Sequence, residues 1–120
     1  DTTAWTVATS GVTSGDFNDT SDIALKENIQ NINDGTSIIN ALIPRTFDWK
    51  NTDKGSNAGF IAQEVETVIP DDVAGLDYPA TLIGKSINST GILAYAVKAI
   101  QEQQTIIEDL QSRIEALETE

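Results

Sequence analysis

The stretch from Ser89 to Glu120 constrains this chain more than any other feature. After Gly91 it holds neither Gly nor Pro, and its apolar residues recur in a heptad register. Leu93, Ile100, Ile107 and Ile114 fall at a, while Ala96, Gln103, Leu110 and Leu117 fall at d. Seven of these eight positions are apolar over four heptads, the pattern of a coiled-coil helix, with Ser89 or Thr90 available to cap its start. One such helix alone leaves its seam in water, so it must pack on something. Ile at a with Leu at d favours a dimer by itself. Ile92 and Ile106 at g and Val97 at e widen the seam and tip the expectation to a homotrimer. The competing expectation is a helix docked on its own domain. Gln103 would fix register at some cost in stability, and Arg113 would reach Glu118 of a neighbouring parallel helix.

Composition narrows the chemistry. The chain has 120 residues, 19 acidic and 7 basic, and no His, Cys or Met. Without Cys there is no disulfide frame, thiolate nucleophile or zinc-finger spacing; without His the commonest general base is missing. The net charge of −12 excludes nucleic acid and anionic membrane as expected partners. No run approaches the roughly 18 apolar residues of a membrane span. No cofactor and no metal are expected: Asn31-Ile32-Asn33-Asp34-Gly35 lacks the alternating ligands of a calcium loop and reads as a turn.

Three parts follow along the chain. Residues 1–21 read as the end of a β-rich upstream element, with a short strand at Trp5-Thr6-Val7-Ala8; opening on Asp, the chain reads as a piece of something longer. Residues 22–88 carry an α+β pattern. Asp34-Gly35-Thr36 starts a helix containing Ile38, Ile39 and Leu42, and Pro44 ends it. Thr46 to Lys50 alternates as a strand, and Asn51 to Asn57 is a polar turn. From Gly59 a strand or turn passes into an amphipathic helix with Ile61, Val65, Val68 and Ile69 on one face, stopped by Pro70. Short strands are expected around Val73, Leu76, Tyr78 and Leu82-Ile83. Residues 89–120 form the long helix.

Ser21-Asp22-Ile23-Ala24-Leu25-Lys26-Glu27-Asn28-Ile29, Phe47-Asp48-Trp49 and Gly59-Phe60-Ile61-Ala62-Gln63-Glu64-Val65 occur in a distinctive order. With the closing helix they resemble the intramolecular chaperone auto-processing domain at the C-terminus of phage tail fibres, tailspikes and endosialidases, over about residues 20–120. The resemblance implies a homotrimer that folds the upstream segment of the same chain. It then releases itself by one autoproteolytic cut, as a single-turnover Ser/Lys endopeptidase. The Ser maps to Ser21, the Lys to Lys26, and the scissile bond to Ser21–Asp22. It also implies a virion fibre or spike precursor assembled in the host cytoplasm.

Read from the residues alone, a Ser–Lys pair can act without His, provided that the Lys is neutral. A free Lys, near 10.4, is almost wholly protonated, so burial would have to lower it. Positions five apart meet only through a turn or across a subunit boundary. Ser21 attack on its own following carbonyl would close a strained small ring. Its hydroxyl would instead position a water, assist strain or act on another chain. Asp22 would stabilise a protonated Lys26 or help break the bond. The family usually has Arg where this chain has Ala24, so the cut is expected to be slow or absent and the chain to represent the uncut precursor. Two other classes compete: a non-cleaving trimerisation cap with Ser21 and Lys26 inert, and a receptor-binding fibre tip using Trp5, Tyr78 and Tyr95.

Overall fold

The computed structural model describes residues 20–50, 53 and 55–119, and divides into two compact units, residues 1–30 and 31–120. The strand expected at Trp5–Ala8 lies outside the described residues. Unit 31–120 is α+β, with two small antiparallel sheets and a long C-terminal helix.

The Asp-Gly-Thr start signal is used. Asp34 accepts from Ser37 N at 3.0 Å, and helix α1 runs Thr36–Ala41. Pro44, which lacks an amide donor, follows its end. Strand β1 (Arg45–Asp48) then pairs antiparallel with β2 (Ser56–Gly59), in the register Arg45↔Gly59 to Asp48↔Ser56. Strand β2 thus takes Ser56 and Asn57, the last two residues expected in the polar turn. Helix α2 is Ala62–Glu66 and stops before Ile69. The Thr67 hydroxyl donates to Glu64 O at 2.7 Å, a local bond that competes with helix continuation. Ile69 still turns inward.

Only two dipeptides of the next segment become strands, β3 (Val73–Ala74) and β4 (Ser86–Ile87), which pair with each other. The strands expected at Leu76, Tyr78 and Leu82-Ile83 do not form. Gly75 (φ 91°) and Gly84 (φ 76°) bend the backbone out of the extended region at both ends, and Pro79 removes a ladder donor. Helix α3 spans Ser89–Glu118, about 45 Å of rod. Its cap is Asn88, whose side chain accepts from Thr90 N at 3.2 Å, one residue before the two expected.

The core is small: Leu42, Val65, Ile69 and Ile92 are buried, with Ile38, Ile39, Phe60, Val73, Ile87 and Tyr95 packed around them. Arg45 grips Glu64 with two bonds of 2.6 Å, tying β1 to α2, and Lys85 donates to Glu66 at 2.5 and 2.7 Å. Arg45 lies above the ordinary arginine range because of its bond to Glu64, and Glu64 lies below the usual carboxylate range for the same reason. Among the described residues no helix is long and apolar enough to cross a membrane.

Candidate functional site

Ser21, Asp22 and Lys26 lie on a single turn. Asp22 is extended (φ −66°, ψ 136°) and caps a 3-10 turn at Ile23–Leu25. Its Oδ1 accepts from Ala24 N at 2.8 Å. Leu25 N donates to Asp22 O at 3.0 Å and Lys26 N to Ile23 O at 3.1 Å. The chain folds back, and Lys26 Nζ donates to Ser21 Oγ at 2.5 Å. The turn is the route by which two positions five apart meet within one chain. All three side chains are exposed. The pair is chemically capable of moving a proton between hydroxyl and amine once the lysine is neutral.

The heptad row lies along α3 and faces outward. Leu93, Ile100, Ile107, Ile114, Leu110 and Leu117 are between 48% and 68% exposed. Gln103 is exposed and Ala96 half-buried. Ile106 and Val97 lie open beside the row, but Ile92 does not. Its 9% exposure places it in the core of its own unit, so it contributes nothing to widening the seam. Tyr95 also packs against that core, which corrects its expected role as an exposed aromatic. Tyr78 is 70% exposed. Arg113 meets Asp109 one turn earlier on its own helix at 3.7 Å.

Sequence reasoning missed what fastens α3. Glu102 Oε1 accepts from Gly35 N at 2.6 Å, Thr36 N at 2.8 Å and Thr36 Oγ1 at 3.2 Å. A carboxylate from α3 thus satisfies the first amides of α1. These donors, Thr36 N first and then Gly35 N, hold Glu102 below the usual carboxylate range. Gly35 permits the approach: a Cβ there would collide with Ala99 N and lie 2.6 Å from Tyr95 O. The signal was present in the sequence, since a helix start of Asp-Gly-Thr leaves amides that need an acceptor. Gln63 is exposed and donates to Asp77 at 3.0 Å. Phe47, Trp49, Phe60 and Tyr78 line an open pocket of about 730 Å³, with Phe47 and Trp49 edge to face at 5.1 Å.

Comparison with known proteins bears on the first part of the described chain. Residues 21–74 match the model of a peptidase family described as chaperone of endosialidase; the match begins at Ser21 and ends before α3. No curated protein matches the chain.

Proposed function

We propose, from the premise that residues 21–74 belong to the chaperone-of-endosialidase family, that this chain is the C-terminal intramolecular chaperone of a phage tail fibre or spike. It trimerises through α3, brings the upstream segments of three chains into register, and is released by one cut at Ser21–Asp22. The observation that carries the self-cleaving part is the contact of Lys26 Nζ with Ser21 Oγ at the start of the matched segment.

The cut is a hydrolysis. Water supplies a hydroxyl to the Ser21 carbonyl carbon and a proton to the departing Asp22 amine. The upstream product ends in a Ser21 carboxylate and the released part begins with a free amine on Asp22. Because Ser21 Oγ would close a strained ring on its own carbonyl, its hydroxyl orients the attacking water, and Lys26 takes and returns the proton. The folding help comes from tethering: three chains joined at one end hold each other at high effective concentration, lowering the cost of closing long β pairings. Removing the tether after folding leaves a fibre or spike that unfolds slowly. Assembly takes place in the host cytoplasm, and the chaperone part leaves the virion precursor after the cut.

The test compares the full chain, including its upstream part, as wild type, Ser21→Ala, Lys26→Ala and Ala24→Arg on a denaturing gel with mass spectrometry. The expected result is a break between Ser21 and Asp22 in wild type, a faster one in Ala24→Arg, and none in the other two. Intact bands in all four overturn self-cleavage and leave the non-cleaving trimerisation cap. That second reading is favoured by Ala24 and by the exposure of both Ser21 and Lys26.

A further inference from the structure

Between Ser21 and Lys26 there are five steps of chain, about 16 Å if extended, too far for a serine hydroxyl and a lysine amine to share a hydrogen bond. They meet because the backbone tightens at Ile23–Leu25. Packing does not hold that turn: Ile23 is 75% exposed, Leu25 72%, and none of its residues is buried. A three-residue 3-10 turn in water is intrinsically weak, so its local hydrogen bonds decide whether it forms. Two are backbone bonds that any sequence could make, Leu25 N to Asp22 O and Lys26 N to Ile23 O. The third is specific to this sequence, Ala24 N to Asp22 Oδ1. Among the described residues no ion pair joins Asp22 to Lys26.

We infer that the Asp22 side chain is the positioning residue for the cut: by capping the Ile23–Leu25 turn it folds Lys26 Nζ onto Ser21 Oγ. This rests on the self-cleaving reading above. The role belongs to hydrogen-bond acceptance and not to negative charge. It also assigns the residue at 24 a backbone duty, donation of its amide, which Ala performs as well as any non-proline residue.

The experiment uses the full chain as wild type, Asp22→Asn, Asp22→Ala and Asp22→Glu. It follows the cut fraction against time from pH 5 to 9, and the hydrogen exchange of the Ala24 amide in the uncut protein. Asn caps as well as Asp, whereas Ala cannot cap. Asp22→Asn is therefore expected to cut within about threefold of wild type and to leave Ala24 exchange unchanged. Asp22→Ala is expected to cut about tenfold more slowly with an unaltered pH profile and to exchange Ala24 several-fold faster. Two cutting results overturn the inference: wild-type rates in Asp22→Ala, or loss in Asp22→Asn with retention in Asp22→Glu, which would assign the charge. Equal Ala24 exchange in all four proteins overturns it whether or not they are cut. If wild type stays intact while exchange follows the cap, the self-cleaving reading fails and the cap is a structural device alone.

Discussion

The two halves of α3 live in different surroundings. From Ser89 to Glu102 the helix lies against its own unit: Ile92, Tyr95, Ala99 and Glu102 form one strip that meets the core and α1. From Gln103 to Glu118 every residue is exposed, including Ile106, Ile107, Leu110, Ile114 and Leu117. Leu93 and Ile100 show that the open row also continues beside the docked strip. One rod therefore carries two neighbouring stripes, one satisfied within the chain and one left over. A free stretch of some sixteen residues is marginal as an isolated helix, so the second stripe needs company to persist.

The sharpest break of this contrast places charge on the open stripe. With Ile107→Asp and Ile114→Asp, the proposed trimer is expected to sediment as single chains, while the unfolding of the docked core stays near wild type. Loss of the core as well would show that the stripes are not separable. A smaller effect comes from the docked side. Ile92→Ala opens a cavity beside Leu42, Val65 and Ile69 and is expected to cost about 2–4 kcal/mol in denaturant unfolding. If Ile92 served the seam instead, its loss would change association before core stability.

The smallest effect is a pH response. Glu102 has its pKa depressed in the folded chain by the α1 amides, so it binds its proton more weakly folded than unfolded. The stability it contributes is present above the unfolded carboxylate pKa of roughly 4.3 and is lost as pH falls through the lower folded value. The protection of the amides at the start of α1, measured relative to their intrinsic exchange rates, is expected to fall over that acid window in wild type. Glu102→Gln is expected to exchange faster at neutral pH and to lose most of the acid dependence.

Periodicity revealed much of this. The α1 start, the Val65/Ile69 face and the heptad row were legible because each repeats a simple spacing or carries a cap or proline signal. Periodicity could not say which neighbour an apolar residue meets, which is why Ile92 was assigned to the seam and lies in the core. Nor could it foresee Leu82 and Ile83, apolar yet 92% and 88% exposed, since two glycines with positive φ redirect the chain around them. The Ser21–Lys26 contact was legible only as a condition, that a turn or a subunit boundary must bring the two together. The cap that makes the turn was written in Asp22, but which amide it accepts from is set by the fold of the turn. The need for an acceptor at the α1 start was legible, but not that Glu102 fills it, because its partners lie 66 and 67 positions away.

The clamp at Gly35 and Glu102 has a mechanical consequence. A helix advances about 100° per residue, so the angle between the clamped strip and the open stripe is set by the count of residues alone. The rod works like a camshaft: its clamp fixes the phase of the body, and its free lobe fixes the phase of whatever meshes with it. One residue inserted after Glu102 would turn the open stripe through more than a quarter of a revolution relative to the body, whereas seven would nearly restore the timing.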